Sequence, residues 1–588
     1  MSEDSNAVSD VSSATYLSFS PKRNSKESKT SNISNNSLGP PLGQETTIHG
    51  ELFKITGESE WTKSPQWMIH SDLRPGFGLE TEDPYGCSYI NEYHHKIKKE
   101  ASGIASVNCH FTDSKGRILL STRDYEPGDV MLEEPPLQIV QDSKGNLYYE
   151  KLCEIVRNEN LDYDPLSYWC ALTSLTNEDI AGHRKIEDFK WSDEEDDGKD
   201  DGKNGKENLN FITTVTKEQQ KKLLLLYHGE IKKPTTDVKT IIKQLQLDPK
   251  GENTSLEILV KSLLDVWLLN SFEFEPVHGH PVGCSIYFIP SFMSHSCYAN
   301  VTWDCHYENG NTFVARACRE VKKGDEICCS YIEEDALFKA AHIRRDILEK
   351  SKHFICTCER CGPHEAKAGD CLDYSRGFCC PRCKIGVIFP DTLNTSESGA
   401  YFRCNNCIEF DHKLDGQKLC KAERDLEKKF KYWKAEIEKH GVGVIVKWFE
   451  PVLAIRLLSA TQIFQQHWLM EKYWGFAQEF YDQQRDYDKA IHYCKLRILF
   501  FHKAYPGVSG SYAWALEGLG DLNFKLGCCD RNPKYFDISI AEYGAAMSAL
   551  SVMFGQKHDY YKAALHKKDR VFQKKARLLK HIDLLKSK

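Results

Sequence analysis

Two short cysteine knuckles, Cys380-Pro381-Arg382-Cys383 and Cys404-Asn405-Asn406-Cys407, stand 20 residues apart. This spacing constrains the fold more than any other stretch of the chain. A Cys-x2-Cys turn points two thiolates at one ion, so two knuckles at this separation predict a tetrahedral cage of the zinc-ribbon type. Four thiolates leave no open coordination position, so this site is structural. Cys371 and Cys379 are the alternative ligands nearby. A second cluster, Cys356-x-Cys358-x2-Cys361, offers three ligands where zinc takes four. Spacing alone leaves the fourth open among Cys297, Cys305, Cys318 and the Cys328–Cys329 pair. Two zinc ions are expected in all.

The 23 cysteines fit that reading. The first residues, MSEDSNAVSDVSS, contain no apolar core, so no secretory leader is expected. A reducing compartment, the cytoplasm and/or the nucleus, follows, and there cysteines bind metal more often than they form disulfides. No run approaches 18 apolar residues, so no membrane span is expected.

At 588 residues the chain is long enough for three or four units. Residues 1–45, rich in Ser and Asn, read as a disordered tail, and 46–100 carry no assignable pattern. Short strand-like runs follow at 105–111, 118–122 and 130–134, separated by turns at Asp113–Arg117 and Glu126–Asp129. Apolar residues then take helical spacing at 152–157, 219–227, 238–245 and 256–270. The acidic run Ser192–Asp201 reads as a solvated loop within this stretch. Strand texture returns at 283–289, 301–305, 312–317 and 326–331. From about residue 420 the chain reads as helical.

Several of these pieces resemble a known family. Ser294-His295-Ser296-Cys297-x2-Asn300 is similar to the asparagine-histidine-serine-cysteine motif of SET-domain protein lysine methyltransferases. Gly324-Asp325-Glu326-Ile327-x2-Ser330-Tyr331 resembles their second motif, which ends in the catalytic tyrosine. Gly116-Arg117-Ile118-Leu119 and Arg123-Asp124-Tyr125-x2-Gly128-Asp129 resemble their first strands. Phe354-x-Cys356-x-Cys358-x2-Cys361 resembles the post-SET zinc motif. A helical insert splitting the fold is like the SMYD branch. Tyr487-Asp488-Lys489-Ala490, Ala504-Tyr505-Pro506 and Phe554–His558 resemble its helical C-terminal domain, related to tetratricopeptide arrays. Arg360–Glu365 followed by the ribbon is similar to SmydA-like proteins. The branch's MYND finger has no counterpart, since only Cys153 and Cys170 lie where it would fall.

The resemblance implies an α+β fold. Its parts are a SET N-terminal part at 101–141, a helical insert at 142–280, a SET C-terminal part at 281–335, a post-SET zinc motif at 336–370, the ribbon at 371–412 and a helical, tetratricopeptide-like domain at 420–588. It also implies transfer of a methyl group from S-adenosyl-L-methionine to a lysine of a histone or non-histone protein. Tyr331 would be catalytic. Gly116, Arg117, Ser291, Ser294, His295, Tyr331 and Phe354 would line the cofactor, with Phe354 on its adenine. Cys297 would be the fourth ligand of the second cluster.

The sequence departs from the family pattern at four places. Ser294 stands for asparagine, Ile118 for glycine and Lys352 for a channel tyrosine, and no asparagine is found near Pro276. The alternative reading is therefore a SET-fold scaffold of weak or no activity that binds proteins through its helical domain. The formal net charge of -8 suits basic protein substrates and argues against nucleic-acid binding. A monomer is expected. No Ser-His-Asp triad, P-loop or dinucleotide fingerprint is present.

Overall fold

The computed structural model describes residues 83, 85–100, 106–180, 212, 214–227, 234–248, 253–274, 283–306, 310–362, 371–380, 382–392, 401–407, 412–413, 416–440 and 463–586. The expected tail at 1–45 and the acidic run Ser192–Asp201 lie outside the described residues. In chain order, helix α1 (Cys87–Glu100) precedes strands β1 (Val107–Thr112), β2 (Gly116–Ser121), β3 (Val130–Glu134) and β4 (Gln138–Gln141). Helices α2 (Leu147–Asn158), α3 (Pro165–Leu172), α4 (Lys217–Leu225), α5 (Thr236–Gln244) and α6 (Thr254–Asn270) follow. Then come strands β5 (Phe272–Phe274), β6 (Gly283–Ile286), β7 (Ser294–His295), β8 (Val301–His306), β9 (Thr312–Ala317) and β10 (Cys328–Cys329). Helices α7 (Glu334–Leu337) and α8 (Ala341–Lys352) lead to strands β11 (Arg376–Cys379), β12 (Val387–Pro390), β13 (Tyr401–Cys404) and β14 (His412–Lys413). Helix α9 (Gly416–His440) and strand β15 (Phe464–His467) precede α10 (Trp468–Gln483), α11 (Tyr487–Ala504), α12 (Gly510–Asp530), α13 (Pro533–Met553) and α14 (Asp559–Lys586).

The chain forms two compact units. One comprises residues 1–85, 112–116 and 137–288. Its sheet runs β4-β6-β5, all antiparallel. Asp164 accepts from the Ser167 N–H and Pro165 opens α3, a strong start signal. Every residue of α3 from Leu166 to Leu172 is buried, so this helix lies inside its unit. Its polar groups are satisfied there: the Tyr168 hydroxyl donates to Asp237 at 2.6 Å. The Trp267 indole of α6 donates to Ser174 at 2.8 Å.

The other unit comprises 86–111, 117–136 and 289–588. Strand β9 lies between β3 and β8, and β1 pairs with β2. The 294–300 loop runs parallel to 328–329, with Ser294 opposite Cys328 and His295 opposite Cys329. Asn300 clamps this crossing. Its amide nitrogen donates to the Glu326 carbonyl and its oxygen accepts from the Cys328 N–H, both at 2.8 Å.

The structure corrects two sequence expectations. Residues 46–100 showed no pattern, yet α1 forms at 87–100, and Asn91 on it hydrogen-bonds both backbone groups of Cys109. Residues from 420 onward were expected to be helical, yet β15 lies among them and pairs with β11, completing the ribbon sheet in the order β14-β13-β12-β11-β15. Four residues, three of them buried, are too few to stand out in a helical region. Gly377 permits the pairing: a Cβ there would lie 2.5 Å from the Gln466 carbonyl oxygen.

Consecutive helices from α10 to α14 pack on one another through short connections, which makes neighbours antiparallel. A single buried cluster joins Phe338, Phe378 of the ribbon and Trp468, Phe501 and Leu519 of these helices. At its edge Glu423 of α9 is held by Arg376 Nε at 2.8 Å and His467 Nε2 at 2.8 Å. Burial alone would raise this carboxyl, but the Arg376 and His467 hydrogen bonds outweigh it and hold it at about 2 against an ordinary 4.5. Burial also lowers the His467 imidazole.

Both shifts act in one direction. A depressed carboxyl adds stability that is present above its ordinary value and is lost as pH falls towards 2. A depressed imidazole resists the proton the unfolded chain would take below about 6.5. Glu423→Gln is therefore expected to lower the urea midpoint at pH 7 and to flatten its fall between pH 5 and 3, the Glu423 share being about 3 kcal/mol. A wild-type slope in that window would contradict the assignment.

Candidate active site and thiolate cages

The turn Pro290–Phe292 brings the chain to β7, and this places His295 inside the protein. Its Nδ1 accepts the Tyr331 backbone N–H at 3.0 Å, and its Nε2 lies 3.3 Å from Cys297 Sγ. Burial pushes the imidazole down to about 4, so the ring is neutral near pH 7. With Nδ1 accepting, the single ring proton sits on Nε2 and points at the sulfur. One side chain thus connects Cys297 with the backbone of Tyr331.

Tyr331 is fixed at both ends. Its hydroxyl donates to the Met293 carbonyl. Its ring stands 6.4 Å from Phe354, edge to face, and 5.4 Å from His295. The residue keeps 38% of its surface open, yet desolvation raises its phenol well above the ordinary value. The hydroxyl is therefore protonated near pH 7. Lys352, the last residue of α8, holds its Nζ 5.9 Å from the centre of this ring. Half-buried Phe354 lies 5.9 Å from His295. Tyr331 and Phe354 thus offer aromatic surface of the kind an adenine or a sulfonium packs against.

The other sequence-derived residues fall as follows. Ser294 opens β7 and donates its N–H to Ile327 at 3.3 Å. Ser291 lies in the preceding turn. Arg117 of β2 stacks its guanidinium 4.8 Å from the Phe292 ring centre. Gly116 begins β2 at φ +72, a conformation that suits glycine. Ile118 is buried in the core.

Cys297, Cys356, Cys358 and Cys361 converge, with all four Sγ atoms within 4.8 Å of one another. Cys297 Sγ lies 4.0 Å from that of Cys356 and 3.6 Å from that of Cys361. A tetrahedron of thiolates at the usual zinc–sulfur distance has sulfurs about 3.8 Å apart, so the group fits such an ion. Cys380, Cys383, Cys404 and Cys407 form a second such group. Here Cys380–Cys407 and Cys383–Cys404 are 3.8 and 3.7 Å apart. Backbone N–H groups of Gly386 and Ile385 lower the Cys383 thiol to about 5, which favours the thiolate. A Cβ at Gly386 would sit 2.4 Å from Cys404 Sγ, so glycine is needed there. Cys371 and Cys379 stand outside this group. Cys318 instead donates to the Ala299 carbonyl at 3.3 Å.

Three arginines around the first cage escaped the sequence reading. Arg344 is buried, donates to the Lys339 carbonyl at 2.6 Å and puts Nη2 3.6 Å from Cys361 Sγ. Burial opposes its charge, but the Cys361 and Cys297 sulfurs and Asp373 more than compensate. Arg345 donates to the carbonyls of Cys356 at 3.1 Å and Thr392 at 2.8 Å, and to that of Cys361. Arg360 donates to the carbonyls of Cys297 at 2.7 Å, Leu337 at 3.0 Å and Ala504 at 3.0 Å. Arg360 is next to Cys361, and Arg344 and Arg345 lie on α8 just before the cage; no local pattern separates them from surface arginines.

Comparison with known proteins assigns the class. Residues 116–332 match the family model described as SET domain. The chain therefore contains a SET domain, and its relatives are SMYD-like SET proteins. One is the SET domain-containing protein SmydA-8, isoform B, of Drosophila melanogaster, 32% identical over 24% of this chain and 29% of its own length. Another is a SET and MYND domain-containing protein of Dictyostelium discoideum, 26% identical over 25% of this chain and 38% of its own length. The chain thus aligns with about a third of these relatives. The histone-lysine N-methyltransferase ASHR1 of Arabidopsis thaliana is 23% identical over 70% of this chain and 86% of its own length. A solved SET domain of LSMT bound to lysine and AdoHcy aligns with 84% of this chain and 92% of its own at 11% identity and TM-score 0.24, an overlay too poor to support an argument. Among the described residues, no helix is long and apolar enough to cross a membrane.

Proposed function

We propose that the protein is an S-adenosyl-L-methionine-dependent protein-lysine N-methyltransferase acting on a histone or non-histone protein. The observation that carries this reading is the double tether of Tyr331: its backbone to His295 and its hydroxyl to Met293. A phenol held in this way is preorganised, and alignment is the main contribution such a site can make. Tyr331, Phe354, His295, Ser291, Ser294, Arg117 and Gly116 are the residues assigned to hold the cofactor, which supplies an electrophilic methyl group when bound. Tyr331 orients the incoming amine through its hydroxyl and the Met293 carbonyl. Desolvation of the amine beside the Tyr331 phenol, itself desolvated, favours its neutral, nucleophilic form. The two cages hold zinc, one pinning the loop that carries Cys297 and the other the strands of the ribbon. The helices from α10 to α14 are read as the tetratricopeptide-like domain, and the protein as a monomer.

The test is calorimetric binding of S-adenosyl-L-methionine to the zinc-loaded protein, followed by transfer of labelled methyl to protein acceptors. Failure to bind at millimolar cofactor would sink the proposal.

A second reading, a weakly active or inactive scaffold, is favoured by one specific observation. Lys352 places a cation 5.9 Å from the Tyr331 ring, the ring that a lysine substrate approaches in the proposed reaction. Like charges that close disfavour entry. Lys352→Tyr is accordingly expected to raise kcat/KM for a lysine peptide about 10-fold, roughly 1.4 kcal/mol, mostly through KM. An unchanged KM would show that Lys352 does not face the substrate path.

A further inference from the structure

Helix α14 has two apolar faces. Ala564 and Val571 are fully buried against α12 and α13, with Leu550, Phe536 and Tyr543 among their neighbours. Leu565, Phe572 and Leu579 recur every seventh residue and stay exposed at 37%, 49% and 40%. At 100° per residue these three fall within about 40° of one another, with Ala576 about 20° beyond Leu565. The solvent face of a helix in a packed array is ordinarily polar.

The same helix is strongly basic. It holds nine Lys or Arg residues against three Asp, a net charge of +6. Lys567 pairs with Glu517 and Asp521, and Lys575 pairs with Asp537. Lys568 and Lys580, which flank the apolar stripe on either side, have no carboxylate within ion-pair distance among the described residues, and neither do Lys574 and Arg577 further round.

We propose that this face of α14 is a docking surface for an acidic amphipathic helix of a partner protein. Leucine-type residues of the partner at heptad spacing would interdigitate with Leu565, Phe572 and Leu579. Its flanking Glu and Asp would meet Lys568 and Lys580. A second copy of α14 is disfavoured, because it would bring +6 against +6. An anionic lipid surface or nucleic acid is disfavoured by Asp569 and Asp583, which lie on or beside the stripe, within about 60° of Phe572. A helical partner can place a base opposite each of them. This inference is independent of methyl transfer.

The experiment uses the full-length chain and a fluorescein-labelled, glutamate-rich synthetic helix with leucine at heptad a and d positions. Anisotropy is expected to give micromolar binding that weakens with salt. A scrambled peptide of the same composition should bind at least 10-fold more weakly. Phe572→Glu and, separately, the pair Lys568→Glu and Lys580→Glu should each weaken binding at least 10-fold with an unchanged melting profile, since all three side chains reach solvent. Undiminished binding in both variants would overturn the proposal. So would tighter binding to phosphatidylserine vesicles or duplex DNA than to the peptide, or a wild-type dimer that Phe572→Glu converts to monomer.

Discussion

Tyr331→Phe is expected to lower methyl transfer by roughly 10²-fold or more, the cost of misplacing a reacting group by about 1 Å. Melting temperature and cofactor affinity should change little. The ring keeps its contacts with His295 and Phe354, and the His295 bond is to the backbone, which the substitution leaves in place. Only the hydroxyl and its bond to Met293 are removed. The loss should therefore appear in kcat and not in folding. Single-turnover transfer of labelled methyl, with calorimetric cofactor binding as the control, separates the two. Equal rates for the variant and the wild type would remove Tyr331 from the chemistry.

Cys297→Ser should have the second large effect, and it should reach both zinc and activity. Native mass spectrometry is expected to show one ion in place of two. The cage retains three thiols, and buried Arg344 loses part of the negative charge that accommodates it. A buried charge stripped of its partner costs about 3–5 kcal/mol. The melting temperature should therefore drop by roughly 10 °C or more. Cys297 Sγ also faces His295 Nε2, so the tether of Tyr331 loosens at the same time. Cys404→Ser separates these consequences, because it should also leave one ion but keep the His295 bridge. Two ions bound to Cys297→Ser would exclude Cys297 as a ligand.

Legibility in the sequence followed how locally each feature is determined. The Cys-x2-Cys knuckles could be read because a tight turn alone sets their geometry, and β3, β8 and β9 because each is a short apolar-rich run bounded by turn residues. Cys297 could not be chosen by spacing. It lies 59 residues from Cys356, and its place in the cage depends on the parallel pairing of 294–295 with 328–329. His295 was expected at the cofactor, but no local rule shows that both of its ring nitrogens face protein. Arg344 and Arg345 look like a solvated helix face. They are drawn inward by sulfur charge and free carbonyls that exist only once the cage has closed. The α1 segment was obscured by its charged residues, since among the described side chains of this helix only Ile90 and His94 are deeply buried.

Strand β15 has a consequence for how the molecule comes apart. It lies within the helical half of the chain but hydrogen-bonds to β11, and the buried cluster around Phe378 continues into α10, α11 and α12. Cleavage at about residue 420 would strip one edge from the cysteine-bearing sheet and expose that cluster on both fragments. The ribbon and the helices are therefore not interchangeable modules. They are expected to share one cooperative transition, so that chelating an ion held by Cys380, Cys383, Cys404 and Cys407 should lower the melting temperature of α10, α11 and α12 as well.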